Sequence, residues 1–318
     1  MWCHMNSLNI SKVDLNRISL PIQNFKTLRD ENKIYVDKTS LIASLAKLTT
    51  PIFLSRPRRF GKTLLASTFA SLFSRGVKDF KCLDIEKECQ DQNVYPVIML
   101  TFSLYARVSI DVFTNDFCND IILKFYKQFP YLKNLDIPKN ITPHLLLSLF
   151  LDNIKESKIV VLIDEYDSPI THTFENELLQ SQIIQYMSSF FDVIKSYLYK
   201  IRFIFITGIT KIAHVSLFSD INFLTDITYD SKYSSLLGLT DYEIYKYYDV
   251  YIKNAAKVLG ISEKSVYSRL KSFYDGYQFS VESQETVYNP WSFLNFILNP
   301  TQGFKNYWYM SGGHLVYL

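Results

Sequence analysis

The segment RPRRFGKT, from Arg56 to Thr63, ends in the Gly-Lys-Thr triplet of a phosphate-binding loop. That pattern needs a strand before it and a helix after it. PIFLS is a short buried strand by its length, and LLASTFASLF repeats apolar residues at helical spacing. A helix N-terminus offers unpaired N–H groups and a positive dipole end to phosphate, so Lys62 would reach the β- and γ-phosphates and Thr63 would hold Mg²⁺. Arg56 stands in the place of the first glycine, which weakens the match because glycine permits positive φ.

A second segment has the composition of a metal-binding strand end. KIVVLIDEYD, residues 158–167, is a buried strand that ends in acidic residues. Asp164 would hold Mg²⁺ through its water shell, and Glu165 would act as a general base on an attacking water. A third apolar run, IRFIFITG, includes Thr207, whose hydroxyl can contact the γ-phosphate or that water. Ligands of open α/β sheets bind at the carboxyl ends of the strands, so these strand ends together predict one nucleotide site.

The elements that must position these residues can be read from apolar periodicity. The predicted strands are 51–55, 94–103, 158–167 and 201–210, and the predicted helices are 39–48, 64–73, 109–127, 143–155, 175–199, 241–259, 262–274 and 290–298. Strands with near-continuous apolar runs, separated by helices, indicate a parallel sheet covered on both faces. From Leu239 onward the sequence predicts helices only. We therefore expect an α/β fold, a three-layer sandwich with a central, mostly parallel sheet, followed by a helical region.

Composition and charge exclude several classes of protein. The chain has 318 residues, 48% hydrophobic and 20% charged, which suits one large or two modest folded domains and argues against disorder. A net charge of +3 is too small to predict a nucleic-acid or membrane surface. The four cysteines lack the spacing of a zinc site or a disulfide framework, which favours a reducing compartment. The N-terminus has no secretory leader and no apolar run approaches the ~20 residues that span a bilayer, so we expect a cytoplasmic protein with no membrane partner.

Ordered segments along nearly the whole chain match one known family. Besides RPRRFGKTLL and VVLIDEYDSPI, they are LPIQNFKTLRDENKIYVDKTSLI (20–42), YPVIMLTF (95–102), ITGITKIAHVSLFSDINFL (206–224), FYDGYQF (273–279), YNPWSFLNFI (288–297) and YWYMSGG (307–313). On these residues the sequence resembles the AAA-ATPase-like family, whose members often carry a C-terminal PD-(D/E)XK nuclease domain. The family pattern itself reads RPRRFGKS or RPRRFGKT, so an arginine at position 56 is usual there.

The resemblance implies an ATP-binding protein, and a Mg²⁺-dependent ATPase for much of the family. It implies a P-loop NTPase core followed by an all-helical lid domain. We expect an N-terminal arm at 1–19, the core at 20–237 and the lid at 238–318, with the chain ending before the nuclease domain and no nuclease activity. The expected nucleotide-binding residues are Arg59, Phe60, Gly61, Lys62, Thr63 and Leu64, the expected catalytic residues are Lys62, Glu165 and Thr207, and the expected Mg²⁺ ligands are Thr63 and Asp164.

One departure from the family pattern bears on hydrolysis. Lys211 stands where the family usually has arginine, and lysine supplies a point charge without the bidentate fork of a guanidinium, so we expect slower hydrolysis if that position serves the transition state. An arginine supplied by a second subunit of a homo-oligomer is a further expectation. Arg202 and Arg269 are the candidates for it.

Other functions stay compatible with the sequence. The first is a nucleotide-gated binding module or scaffold with little hydrolysis. The second is a DNA-binding remnant of an ATPase–nuclease protein, in which a phosphate-binding patch would consist of Arg56, Arg58, Arg59 and Lys62. The aromatic run YEIYKYYDVY, residues 242–251, could suggest base stacking, but its helical spacing predicts a packing face.

Overall fold

The computed structural model describes residues 13–20, 22–88, 93–211 and 224–311. The chain divides into two compact units, each assembled from separate segments. Unit 1 consists of Met1–Leu45, Pro57–Gln92 and Ile227–Leu318, and unit 2 consists of Ala46–Arg56 and Asn93–Asp226.

The regular elements follow one another in a largely alternating order. The strands are β1 (Ile52–Ser55), β2 (Val97–Thr101), β3 (Ile159–Asp164), β4 (Ile201–Gly208) and β5 (Thr225–Asp226). The α-helices of the described residues are α1 (Phe25–Asp30), α2 (Thr39–Ala46), α3 (Lys62–Arg75), α4 (Ile85–Glu88), α5 (Ile110–Gln128), α6 (Pro143–Asn153), α7 (Ser168–Thr171), α8 (Glu177–Ser196), α9 (Asp241–Leu259), α10 (Glu263–Tyr274), α11 (Pro290–Leu298) and α12 (Tyr307–Met310). Short 3₁₀ turns occupy Leu15–Arg17, Gly76–Asp79, Phe102–Leu104, Pro130–Asn134, Leu198–Lys200, Ser231–Tyr233 and Pro300–Gln302.

Unit 2 is built on a five-stranded sheet in the order β2-β3-β4-β1-β5. Every pairing in it is parallel. The expected α/β fold with a central parallel sheet is therefore confirmed, and the carboxyl ends of the strands meet at one edge. β5, with two residues, is too short to have been predicted, since so brief a segment carries no periodicity.

The core of unit 2 is aromatic and forms where amphipathic helices cover the sheet. β3 is buried along its whole length. Helix α5 turns Phe113, Phe117, Ile121 and Phe125 inward at helical spacing. Phe117 packs against Phe190 of α8 with ring centroids 4.8 Å apart. Burying each such side chain contributes about 1.5–3 kcal/mol to the stability of the folded chain. The apolar patterns of the strands and helices therefore explain why the helices pack on the sheet.

Capping residues mark the ends of several helices of unit 1. Thr240 and Glu243 form a reciprocal capping box at the start of α9, and Gly260 ends that helix in the left-handed conformation. The Ser262 side chain caps α10. These local signals explain why α9, α10 and α11 match their predicted bounds within a residue. The helices share a buried cluster that includes Tyr248, Phe293 and Phe296 and also Ile18 and Ile34.

Some expectations differ from the structure. The region after Leu239 is not helices only, because Leu239 bridges Tyr288 and Tyr277 bridges Val287 in antiparallel pairs between extended segments. Part of the predicted arm is packed: Ile18 is buried, and the Arg17 carbonyl accepts the N–H of Ile34. Residues 1–12 of that arm, and 212–223 of the segment after β4, lie outside the described residues.

The aromatic run and the cysteines give mixed outcomes. Tyr248 and Tyr251 of α9 are buried, as a packing face requires, whereas Tyr242 and Tyr245 are exposed.

Cys82 is disulfide-bonded, which the cysteine spacing did not predict. Within the described ranges, no helix is long and apolar enough to cross a membrane.

Candidate functional site

The end of strand β1 shows what replaces the missing glycine of the loop. Arg56 continues the strand pairing, since its N–H donates to the carbonyl of Gly208 at 3.2 Å. Its side chain is 1% exposed, and its guanidinium donates to the Ser55 carbonyl at 2.9 Å. The residues of the loop with positive φ are instead Arg59 (68°) and Gly61 (94°). The turn is therefore made later in the loop than the glycine pattern assumes, and Arg56 needs no glycine-like conformation.

The loop leads into the N-terminus of helix α3 in unit 1. Gly61 is its N-cap in the left-handed conformation, without a side chain to accept a hydrogen bond, and no acidic residue lies in the first turn. The first N–H groups of the 14-residue helix and its positive dipole end are thus not neutralised by a cap or an acid. Lys62 is the first helical residue and is buried, and its ammonium donates to the carbonyl of Pro57 at 2.9 Å. This arrangement suits an anion.

Three consecutive loop residues are held by aromatic side chains that sequence reasoning did not select. The Arg58 carbonyl accepts the indole N–H of Trp308 at 2.9 Å. The Arg59 guanidinium lies 4.2 Å from the ring centroid of Trp291. The Phe60 ring is buried. The matched segments YNPWSFLNFI and YWYMSGG contain both tryptophans, which is the only signal that pointed to them.

An apolar cavity of about 130 Å³ borders this loop within unit 1. Phe60 and Gly61 of the loop and Leu64, Leu65 and Thr68 of α3 form part of its wall. The remaining lining residues are Ser19, Leu28, Ile34, Tyr35, Val36, Lys38, Ile42, Leu236, Leu237, Gly238, Leu239, Tyr248, Pro290 and Leu294. Apolar cavities on the scale of 150 Å³ hold a benzene-sized ring, so this one suits a flat aromatic group.

The one charged residue in the described wall of that cavity is already paired. The Lys38 ammonium donates to the Ser235 carbonyl at 2.6 Å and to the Glu243 carboxylate at 2.7 Å. Burial lowers the pKa of Lys38, and the Glu243 carboxylate opposes that shift. The pair ties the segment before α2 to the capping box of α9 inside unit 1.

In unit 2 the predicted acids and Thr207 lie at neighbouring positions of the sheet edge. Ile163 is in register with Ile206, which places Asp164 of β3 and Thr207 of β4 one step further toward the carboxyl ends. Both residues are 0% exposed. Glu165, which follows β3, is partly exposed and has a φ of 53°, which is uncommon for a residue other than glycine and is found where surrounding contacts hold it.

The hydroxyl of Thr207 is a buried polar group near the end of β4. Within the described part of the chain its oxygen has no hydrogen-bond partner. A buried hydroxyl without a partner costs free energy, so the Thr207 oxygen has a hydrogen-bonding capacity that no described residue uses.

The ends of β3 and β4 are joined by side-chain hydrogen bonds that the sequence analysis did not predict. The Asp167 carboxylate accepts the N–H groups of Ile209 and Thr210, each at 2.9 Å, and the Tyr166 hydroxyl donates to the Thr210 carbonyl at 2.8 Å. A Cβ on Gly208 would lie 2.6 Å from Asp167 Oδ1, so glycine is required there by close packing. The third acid of the DEYD sequence, Asp167, was the available signal.

The candidate transition-state cations differ in their surroundings. The Arg202 guanidinium, at the amino end of β4, donates to the carbonyls of Ala46 and Leu48 at 2.9 and 3.3 Å. Arg269 is exposed, with its guanidinium 5.8 Å from the ring centroid of Phe304. The Lys211 ammonium pairs with Asp226 at 2.7 Å.

The predicted site residues thus fall into two groups. Unit 1 brings Arg59, Phe60, Gly61, Lys62, Thr63 and Leu64 together at the start of α3, and unit 2 brings Asp164, Glu165 and Thr207 together at the carboxyl edge of the sheet. Arg56 belongs to the second group and is followed directly in the chain by the loop.

Two comparisons with known proteins bear on this arrangement. The model of a family described as "Predicted AAA-ATPase" matches residues 19–218, more than half of the 318 residues. The chain is also similar to the "Uncharacterized protein in vnfD 5'region" of Azotobacter chroococcum mcd 1, with 29% identity over 307 residues. That match covers 94% of this chain and 55% of the relative, so the chain spans about half the length of the curated protein it matches.

Proposed function

Because this chain belongs to the predicted AAA-ATPase family, we propose that it binds ATP with Mg²⁺ and hydrolyses it slowly. The observation that carries the proposal is the pairing of an uncapped helix N-terminus with an apolar cavity in the same unit. The loop from Pro57 to Thr63 offers N–H groups and the Lys62 ammonium to phosphates, and Phe60, Gly61 and Leu64 also line the cavity that would take the base. Together they suit a ligand that is anionic at one end and aromatic at the other.

The remaining roles follow from residue chemistry. Mg²⁺ prefers oxygen ligands, and the Thr63 hydroxyl and the Asp164 carboxylate would hold it, directly or through water. When bound, the ion would neutralise charge on the phosphate oxygens. Glu165, partly exposed next to Asp164, would accept the proton of the attacking water. The orphaned hydroxyl of Thr207 supports this reading, because it can donate to a phosphate oxygen or accept from that water.

Calorimetry with Mg·ATP tests binding first. We expect wild type to bind and Lys62→Ala to bind about 10- to 100-fold more weakly, since a hydrogen bond to a charged group is worth about 1.5–3 kcal/mol. Lys78→Ala is the matched control, because this exposed lysine lies beyond the far end of the same helix. Wild type that does not bind Mg·ATP refutes the proposal.

Hydrolysis needs a separate variant. Glu165→Gln removes the base and keeps the size of the side chain, so ATP binding should persist while turnover falls by about 10²- to 10⁴-fold. Background-level turnover in wild type as well as in Glu165→Gln would instead support the binding module with little hydrolysis, and equal turnover above background would remove Glu165 as the base. The ion pair between Lys211 and Asp226 favours the binding module, because the Lys211 ammonium already has an anionic partner in the protein.

The DNA-binding remnant has less support. Arg56 and Lys62 are buried, at 1% and 6% exposure, so the four cations do not form one solvent-exposed phosphate patch. Salt-dependent DNA binding that ATP fails to displace would revive this alternative.

Domain organisation and assembly belong to the same proposal. We propose that residues 238–318 act as a helical lid to a core at 20–237, and that a homo-oligomer supplies an arginine in trans. Ile18 and Ile34 share a buried cluster with the C-terminal helices, so this lid would fold together with those earlier residues. Of the two arginine candidates, exposure favours Arg269.

A further inference from the structure

Four aromatic residues near the C-terminal end of the described chain contact the phosphate loop within unit 1. We call Tyr277, Phe279, Trp291 and Trp308 the aromatic brace. We infer that Trp291 and Trp308 are positioning residues for nucleotide binding, which hold the loop in its binding conformation from up to 250 residues away in sequence. The inference rests on the proposed function for the identity of the ligand, whereas the contacts between the tryptophans and the loop do not depend on it.

The loop needs external support because of its own sequence. Arg59 has a φ of 68°, a conformation that costs free energy for a residue with a side chain and persists only where surrounding contacts enforce it. Pro57 has no N–H to donate, so it cannot hold the turn through a backbone hydrogen bond of its own. The loop therefore depends on contacts from other residues to keep Arg59 in this conformation.

The aromatic brace contacts three consecutive residues of the loop. Trp308 donates its indole N–H to the Arg58 carbonyl at 2.9 Å. The Arg59 guanidinium lies over the Trp291 ring at 4.2 Å, a cation–π contact that occupies the side chain. Phe60 is enclosed edge-on by the brace, with ring centroids 4.8 Å from Tyr277 and 5.4 Å from Phe279.

These contacts hold residues 58–60, and two of them, Arg59 and Phe60, belong to the expected nucleotide-binding set. The Arg59 side chain contacts Trp291 and the Phe60 side chain is buried, so the N–H groups of this segment, together with Lys62, are the groups that would bind phosphate. Trp291 and Trp308 are only half-buried, whereas Phe293 and Phe296 of the same α11 region are fully buried in the core. Truncating either tryptophan should therefore loosen the loop without removing the core of unit 1.

The two tryptophans also provide a fluorescence signal for nucleotide binding. The chain contains three tryptophans, and two of them touch the loop. Binding of Mg·ATP that displaces the Lys62 ammonium from the Pro57 carbonyl should change the fluorescence of at least one of them.

Binding of Mg·ATP by calorimetry is the first test. We expect about tenfold weaker binding in Trp291→Ala and about 2- to 10-fold weaker binding in Trp308→Phe, which keeps a ring but loses the N–H donor. Tyr242→Ala is the control, because it removes an exposed aromatic side chain from α9. Arg59→Ala combined with Trp291→Ala should cost less than the sum of the single changes, since they share one contact. Full additivity, or unchanged affinity in both tryptophan variants, overturns the inference.

A second measurement needs no nucleotide. Hydrogen exchange at residues 58–63 should be faster in Trp291→Ala and Trp308→Phe than in wild type, while exchange in the core of α11 stays the same. If wild type binds no ATP, the proposed function fails, yet this exchange still decides whether the brace holds the loop. Unchanged loop exchange, or faster exchange throughout unit 1, assigns the tryptophans to general packing and overturns the inference.

Discussion

Replacing Asp167 tests whether the ends of β3 and β4 act as one block. The carboxylate is 0% exposed, and its Oδ2 accepts the N–H groups of Ile209 and Thr210 at 2.9 Å and the Thr210 hydroxyl at 3.3 Å. Asp167→Ala removes the acceptor of all three hydrogen bonds. Asp167→Asn leaves one oxygen in place but removes the charge.

The expected loss follows from those contacts. A donor left without its partner costs about 1–3 kcal/mol when buried. Ile209 and Thr210 are half-buried, so water can restore part of the loss and each N–H falls at the lower end of that range. We expect Asp167→Ala to lower the free energy of unfolding of unit 2 by about 2–4 kcal/mol. Charge-assisted hydrogen bonds are about twice as strong as neutral ones, so Asp167→Asn should cost about half as much.

Hydrogen exchange of the segment 201–211 is the direct assay, with urea unfolding followed by circular dichroism as the energetic one. The amides of residues 209 and 210 should exchange faster in Asp167→Ala, with Asp167→Asn between it and wild type. Asp116→Ala is the matched control, because the Asp116 carboxylate accepts one backbone N–H, that of Ala106 at 2.9 Å. It should cost about 1 kcal/mol and leave residues 209 and 210 unaffected.

The outcome that refutes the reasoning is specific. If residues 209 and 210 exchange at the wild-type rate in Asp167→Ala, the carboxylate does not hold the end of β4. A loss in Asp116→Ala as large as in Asp167→Ala would show that the number of accepted hydrogen bonds does not set the magnitude.

The remaining predictions concern packing, pH and thiol reactivity. Gly208→Ala places a Cβ 2.6 Å from Asp167 Oδ1 and from Tyr166 Cε1, so it should cost about 1–3 kcal/mol in urea unfolding; a neutral effect would contradict the close packing. Burial lowers the pKa of His144 from 6.5, so the unfolded chain binds its proton more readily and stability should fall as pH drops below that value. His144→Gln should reduce this slope in urea midpoints measured across the range, and an identical slope would remove His144 as a cause. Burial raises the pKa of the Cys118 thiol to about 11, so at neutral pH it should hold about a hundredfold less thiolate than a thiol at 9.0 and alkylate correspondingly slowly until urea is added, as peptide mass spectrometry would show.

Much of the fold could be predicted because its signals are local. The continuous apolar runs of β3 and β4 specify strands buried on both faces, and the caps at Thr240, Gly260 and Ser262 place the ends of α9 and the start of α10 within a residue. The chemistry of the candidate site was likewise visible, because Lys62, Asp164 and Glu165 follow or precede recognisable elements. Their roles in binding and turnover stay predictions.

The sequence by itself determined which residue types stand at the strand ends and at the start of α3, because hydrophobic periodicity and capping act over a few residues. Only the tertiary structure decided how those residues are held. The hydrogen bonds of Asp167 depend on the register of β3 against β4. The contacts that hold the loop come from Trp291 and Trp308, more than 200 residues away in the chain. Contacts between residues so far apart arise when separate segments pack into one unit, and no periodicity along the chain encodes them.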